Sequence, residues 1–379
     1  MAAHSVDERE SVVSLGVALI GTGRVGYQFS FSELPDNHAE AVMASHRLRL
    51  VAGVNRGREK LDAFGQRFGV DALFHDYRQM LDTAQPDIVI VATHPELHCD
   101  MVLHCAATPS VRAIICEKPL ALSVAECDHM IEACRRQDVL LQVNHNRRWH
   151  PEWQLAGQLL ADGAIGELNH ITCHMDGCKP EPSWRSDNEG PLLHDSTHYF
   201  DLMDLYGGPV AWLCGMAEQR RRPWPVEDYA TAFMKFGNGV SGAICGAELT
   251  VYTDLAFELR GTTGVLRMLP ETVHLWAATR GAYEPDSGFQ WSGLQPQPLE
   301  RPAPASTYEL ALDELVAALD GDGELRSDGE VGRRSMEMVA AVYQSQLAGN
   351  QPVHWPLTDR RNTIDALRDA GWFENRPTD

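Results

Sequence analysis

Lysine is nearly missing from this chain. Of its 32 basic residues only Lys60, Lys118, Lys179 and Lys235 are lysines. A chain that meets its need for cations with arginine keeps lysine where a compact, titratable ammonium is wanted, although a mutational bias would leave the same few survivors. Positive charge is scarce altogether: the formal net charge is -21. That argues against nucleic acid and anionic membrane surfaces as partners, since both need a basic face. It does not exclude an anionic cofactor, which needs only a local cluster of donors. No apolar run is long enough to span a bilayer. Met1–Ser11 is polar and acidic, without the apolar core of a signal peptide, so the expected location is cytoplasmic. No C-x-x-C pair occurs among the nine cysteines, and their number is odd. Free thiols in a reducing compartment fit this better than a disulfide framework or a structural zinc site. There is no internal repeat and no low-complexity tract.

At 379 residues the chain is expected to form two domains, and its hydrophobic fraction of 44% suits a soluble protein with sizeable cores. Val12–Ile20 is apolar and β-branched, and Gly21-Thr22-Gly23-Arg24-Val25-Gly26 follows it directly. This is G-x-G-x-x-G at the end of a predicted strand. Gly21 allows the tight turn, Gly23 lets backbone approach a pyrophosphate, and Gly26 lets helix and strand pack closely. The crossover from Tyr27 to Arg47 is interrupted at Ser32–Asn37. A second strand, Leu48–Val54, ends in Asn55-Arg56-Gly57-Arg58. A site for NAD commonly places Asp or Glu there, on the adenosine ribose. With Asn55 in that place and Arg56 and Arg58 beside it, the pattern favours NADP, whose 2′-phosphate a carboxylate would repel; solvated arginines with NAD are the alternative.

Pro86–Thr93 is a further buried strand, followed by His94 and His98, and a helix over Cys99–Thr108 leads to a strand ending at Cys116. Strand–helix alternation throughout predicts a doubly wound parallel sheet. Glu117-Lys118-Pro119 stops the last of these strands abruptly. The carboxyl ends of such strands face the ligand crevice, so Lys118 is aimed at whatever binds there. Ser123 with Glu126 forms a capping box for a helix to about Gln137, and Val139–Val143 closes the sheet.

The order Gly21-x-Gly23-x-x-Gly26, then Asp87-Ile-Val-Ile-Val-Ala-Thr with His98, then Glu117-Lys118-Pro119, resembles the glucose-fructose oxidoreductase / inositol dehydrogenase / rhizopine-catabolism (Gfo/Idh/MocA) family. The resemblance implies an α/β fold: an N-terminal Rossmann domain over 12–143 and a C-terminal α+β domain over 144–379 with a largely antiparallel open sheet. It implies a dinucleotide bound at the glycine turn with Arg24 and Val25, at Asn55 and Arg56, and at Thr93 and His94. His98, Glu117 and Lys118 would complete that site near the nicotinamide. In the family the open sheet face often forms a dimer interface, so a homodimer or homotetramer is expected.

In the second half Arg148 stands where the family commonly has Arg, and is expected near substrate. Strands are predicted from Gly166 to Met175, Pro209 to Ala217, Tyr229 to Phe236, Val240 to Leu249 and Leu255 to Arg260, with hairpins such as the one at Gly237-Asn238-Gly239. Arg280–Ala305 reads as loop, and helices follow at Glu309–Leu319 and Gly332–Leu347. The Pro-rich loop Lys179–Arg185 offers Trp184 and Arg185, an aromatic and a cation suited to a sugar ring. On a continuous helix His194, His198 and Asp201 share one face. A metal site there is the lesser reading, since no Cys or Glu stands at fitting spacing, and no metal is expected. A proton-transfer site is the stronger one. The segment resembles the family's Asp-x-x-x-His helix, and His198 falls on the catalytic His. The departure is His194, where the family commonly has Asp. Asp195 lies about 100° round an ideal helix, so either Asp195 supplies the carboxylate or His194 takes another role.

The resulting expectation is an NAD(P)-dependent oxidoreductase exchanging a hydride with a hydroxyl or carbonyl carbon of a sugar, glycoside or polyol. His198 is the candidate base, and Lys118 steadies the alkoxide. Lys118, Arg148, Trp184, Arg185, Asp195 and His198 are expected around the substrate. Two alternatives stay open: redox-neutral elimination or epimerisation with retained NAD(H), and a non-catalytic cofactor-binding regulator.

Overall fold

The computed structural model describes residues 14–372 except 31, 178–188, 222–223, 270, 282, 285 and 291. The first half alternates strand and helix. β1 (Leu15–Ile20) is followed by a π-helical turn at Arg24–Gln28, α1 (His38–Ala44), β2 (Leu48–Val54), α2 (Arg58–Phe68), β3 (Leu73–Phe74), α3 (Tyr77–Ala84), β4 (Ile88–Val91), α4 (His98–Ala106), β5 (Ala113–Cys116), α5 (Val124–Arg136) and β6 (Leu140–Val143). All six strands pair in parallel in the order β3-β2-β1-β4-β5-β6. This is the doubly wound order, and its crevice opens beyond the carboxyl ends of β1 and β4, where the order reverses. Local chemistry agrees with the sequence at α5: Ser123 Oγ accepts from the Glu126 amide at 3.1 Å. At the glycine turn it differs. The helix expected directly after the glycines is a single π-helical turn, whereas the helical stretch expected at His38–Ser45, beyond the break, is there as α1 with Asn37 as its cap. Pro35 lies between them, lacking an N–H and disfavouring a helical residue before it.

Successive strand residues face opposite layers. Val17, Leu19, Ile88, Ile90 and Ile115 belong to one core cluster, whereas Ala18, Ile20, Val89, Val91 and Ile114 belong to another. Strands buried on both faces read as unbroken apolar runs, which is why they were visible in the sequence.

The second half comprises α6 (Pro151–Ala161), β7 (Leu168–Asp176), α7 (Pro191–His194), α8 (Thr197–Gly207), β8 (Val210–Glu218), β9 (Tyr229–Phe236), β10 (Ser241–Ala247), β11 (Asp254–Gly261), β12 (Gly264–Met268), β13 (Val273–Thr279), the short pair β14 (Tyr283–Glu284) and β15 (Phe289–Gln290), β16 (Gly293–Gln297), α9 (Thr307–Leu319), α10 (Gly329–Leu347), β17 (Val353–His354) and α11 (Thr363–Asp369). Nine of these strands form one sheet, antiparallel at every junction except β7 with β10. Its inner face packs on helices: the Trp153 and Tyr206 rings lie 5.2 and 6.1 Å from Phe257. The stretch read as loop over 280–305 contains β16, paired with β13. Every residue of β16 is exposed, so it carries no apolar alternation to betray it.

Two features join the halves. Helix α9 returns to the first sheet, where Tyr308, Leu312, Leu315 and Val316 complete the cluster of Val17 and Leu19. Arg148 Nε, in the link before α6, donates to both carboxylate oxygens of Asp201 in α8 at 2.9 and 3.0 Å, and its Nη1 donates to the Arg326 carbonyl. Both side chains of this pair are buried. Burial pushes the Asp201 carboxyl up to about 6 against the opposing pull of Arg148. A buried pair of this kind is costly to break, because the remaining charge is stranded. Arg148→Ala is therefore expected to lower the unfolding free energy by about 3–5 kcal/mol in urea titrations at neutral pH. A loss below about 1 kcal/mol would show that the pair holds little together.

Candidate active site

The glycine turn sits at the end of β1. Gly21 has φ +102, and a Cβ there would come within 2.3 Å of the Ala92 carbonyl oxygen, so neither its conformation nor its space admits a side chain. Beyond Gly23 the space is open, with no atom within 4 Å of where a Cβ would stand. The Thr22 hydroxyl is buried with no hydrogen-bond partner among the described residues. A backbone turn with empty space over its middle glycine fits a dinucleotide pyrophosphate. At the end of β2, Asn55 Oδ1 accepts from the Gly57 amide at 2.8 Å. Arg56 is exposed, and Arg58 reaches only to Asp62 in its own helix.

Beyond β5, Glu117 is buried and held by His38 Nε2 at 2.8 Å and Asn144 Nδ2 at 2.7 Å. Burial pushes its carboxyl up, but His38, Asn144 and Lys118 outweigh that and leave it below the ordinary value. Glu117 is thus an internal anchor. His98 is fully buried, with Nδ1 3.1 Å from the Pro119 carbonyl and Nε2 3.1 Å from the Thr93 carbonyl. It ties the loops after β4 and β5 together from behind. His94 is exposed at the mouth of the same loop.

Lys118 crosses to the second half: its Nζ donates to the His194 carbonyl, the last of α7, at 2.5 Å. The continuous helix expected over 194–201 is broken. Helix α7 ends at His194, Asp195 and Ser196 form a turn, and α8 begins at Thr197. His194 and His198 therefore have different surroundings. His194 Nδ1 lies 2.6 Å from the buried carboxylate of Glu189. Its Nε2 is 3.9 Å from Asp195 Oδ1. His198 makes no side-chain hydrogen bond or ion pair among the described residues, and its Nδ1 is buried without a partner. Its ring meets His145 edge-on at 6.2 Å. Arg147, over the Tyr199 ring at 5.0 Å and 3.4 Å from Glu271, lies on the same side. Burial, then Arg147 and Lys118, hold His198 well below the ordinary imidazole value. His194 is lowered too, by burial and Lys118, with Glu189 pulling the other way.

Sequence reasoning missed Glu189, because it precedes α7 and its spacing of five from His194 matches no helical or strand period. Arg148 Nε and Nη1 are held by Asp201 and the Arg326 carbonyl, while its Nη2 is buried without a hydrogen-bond partner among the described residues. Trp184 and Arg185 lie outside the described residues.

Two family models cover most of the chain: the Gfo/Idh/MocA oxidoreductase family model with NAD-binding Rossmann fold over residues 15–145, and the family's C-terminal domain over residues 153–267. The chain belongs to the Gfo/Idh/MocA family. It is an NAD(P)-dependent oxidoreductase, with the parallel Rossmann sheet and mixed, largely antiparallel second sheet that the sequence led us to expect. D-apiose dehydrogenase of Paraburkholderia graminis is 28% identical over 326 residues, spanning 83% of this chain and 85% of that one. Myo-inositol 2-dehydrogenase of Thermotoga maritima is 25% identical over 256 residues, spanning 65% and 73%. The fold matches the WlbA dehydrogenase of Bordetella pertussis, solved with NADH and UDP-GlcNAcA, with a TM-score of 0.74, 23% identity, and 91% and 99% of the two chains covered. It also matches the aldose-aldose oxidoreductase of Caulobacter crescentus, with a TM-score of 0.75, 22% identity, and 90% and 99% covered.

The segment bearing this family member's imidazoles rests on a buried acid. Glu227 Oε1 accepts from the Leu192 amide at 2.9 Å, and a Cβ on Gly190 would lie 2.2 Å from its carboxylate, so residue 190 has room only for glycine. Burial pushes the Glu227 carboxyl up to about 7. The folded protein then binds this proton more tightly than the unfolded chain, so the contribution to stability falls as pH rises from about 4.5 through about 7 and is level above. The neutral amide of Glu227→Gln escapes this. The variant is expected to gain on the order of 3 kcal/mol relative to wild type between pH 5 and pH 8, followed by urea denaturation at each pH. A difference that stays constant with pH would show that Glu227 is ionised throughout.

Proposed function

We propose that this oxidoreductase acts on a secondary hydroxyl, or the matching carbonyl, of a sugar, glycoside or polyol. The observation that carries the reading is Lys118: an ammonium beyond β5, at the crevice of a nucleotide sheet, fixed by a bond to the His194 carbonyl beside two imidazoles. Relatives with this architecture are named for apiose, inositol and levoglucosan. A bound nicotinamide dinucleotide supplies hydride exchange at carbon. The protein's part is to bind the oxygen and manage its proton. Lys118 donates to the oxygen and stabilises negative charge as it develops there, and an imidazole of the α7–α8 segment exchanges the proton. Glu117, anchored by His38 and Asn144, fixes the backbone from which Lys118 projects.

For the cofactor we propose NADP ahead of NAD. Asn55 stands where a carboxylate would repel a 2′-phosphate, and Arg56 and Arg58 are exposed beside it. A panel of sugars and polyols assayed with NADP and NAD in parallel, read at the reduced-nicotinamide absorbance, tests both points. Turnover is expected with at least one substrate, with the lower KM for NADP, and Arg56→Ala should erase that difference. Lys118→Ala is expected to lower kcat/KM by about 100-fold or more. A loss of only a few-fold would remove Lys118 from the chemistry.

We further propose a cytoplasmic homo-oligomer, assembled through the outer face of the second sheet. Trp212 and Phe233 stack there at 5.7 Å, and Phe233 remains 42% exposed. Phe233→Asp should reduce the mass measured by light scattering to that of a smaller assembly. An unchanged mass would place any interface elsewhere.

A further inference from the structure

The two imidazoles beside Lys118 are not equivalent. A proton acceptor needs a nitrogen with a lone pair, an orientation fixed by the other nitrogen, and a neighbour that welcomes the imidazolium once it forms. His194 has all three. With Glu189 ionised, the 2.6 Å contact runs from Nδ1–H to the carboxylate, which leaves the lone pair on Nε2. The Glu189 side chain is 3% exposed, so its charge acts on the ring with little screening, while the His194 side chain is 25% exposed. Its own carbonyl accepts from the Lys118 ammonium, which places the cation beside this residue. His198 has the lone pair of any neutral imidazole but neither of the other two supports. Its Nδ1 is buried without a partner, and Arg147 and Lys118 oppose a positive charge on its ring.

We propose that His194, held by Glu189, is the proton acceptor of this enzyme, with Glu189 as a positioning residue and His198 as a neutral ring that lines the site. The acid expected at residue 194 has moved behind an imidazole, and the pair does the work of a carboxylate–histidine dyad. The assignment rests on the oxidoreductase reading above. In the oxidative direction the substrate O–H bond breaks and an Nε2–H bond forms on His194. The O–H electron pair becomes the second bond of the carbonyl. The carbinol hydrogen leaves with two electrons to an oxidised nicotinamide dinucleotide, so the substrate is oxidised by two electrons and one proton stays on the protein. Among the described residues, the charged and titratable groups facing His194 are Lys118 from beyond β5, Glu189 from before α7, Asp195 next in the chain and His198 from α8; His94, beyond β4, faces Glu189.

Two measurements test this. The first uses the protein labelled with 15N at histidine, without any ligand. His194 is expected to show the Nδ1–H tautomer and to titrate at higher pH than His198, and Glu189→Gln should move its titration down by about one pH unit. An unmoved titration would overturn the dyad. The second is the pH profile of kcat/KM for oxidation of a substrate found in the panel. The acid limb should follow His194, shift to lower pH in Glu189→Gln, and be partly restored by Glu189→Asp. His194→Asn should abolish the limb and lower kcat by about 100-fold with KM changed only a few-fold. His198→Asn should lower the rate and keep the limb. If the limb survives in His194→Asn and disappears in His198→Asn, the assignment is wrong. If His194→Asn does not fold, the isosteric Glu189→Gln still decides. No turnover anywhere in the panel would remove the oxidoreductase reading and the proton-acceptor role with it, while the nitrogen spectra decide the Glu189–His194 pair separately.

Discussion

A carboxylate buried at the end of β5 sets the geometry of the crevice. Glu117 has left water, and a buried charge persists only where partners replace its hydration. His38 comes from α1, Asn144 from the link after β6, and both meet the same oxygen. Three separate stretches of chain are thereby fixed around one group, and the next residue is Lys118. Where its ammonium can reach follows from where Glu117 is pinned. The contact that Lys118 makes with the His194 carbonyl then sets how α7 stands against the first sheet. The crevice is assembled from polar contacts anchored in the interior, not from surface loops.

The same economy governs the other buried acids. Asp201 is matched by Arg148 and Glu189 by His194, while Glu227 takes a backbone amide and sits near the Tyr343 hydroxyl. A chain with a net charge of -21 must place some carboxylates inside or crowd them on its surface. Here several are inside, and each fixes a segment near the candidate site. Burial raises the thiols of Cys105, Cys116, Cys127 and Cys173, which removes them from thiolate chemistry at neutral pH.

What could be read in the sequence was what is decided over short range. The strands of the first sheet are buried on both faces, so their apolar runs stand out. The glycine turn and Glu117-Lys118-Pro119 carry their meaning in adjacent residues. Ser123 and Glu126 announce a helix start that the structure reproduces. Contacts between distant positions were not readable. Arg148 and Asp201 meet although α6, β7 and α7 lie between them in the chain, so the pairing has no local signature. The Glu189–His194 pair spans the start of α7 at a spacing no helical wheel marks, and the break at Asp195 and Ser196 separates His194 from His198. Strand β16, exposed along its length, has no pattern to read.

Helix α9 has a consequence for how the protein is made. Val17 and Leu19 share a core cluster with Leu312, Leu315 and Val316, which are synthesised much later than they are. One face of the nucleotide sheet therefore lacks part of its apolar cover until α9 has left the ribosome. Domains that finish early can fold in order as they emerge. This one waits, with an uncovered apolar strip available to chaperones or to neighbouring chains while the second sheet is still being translated.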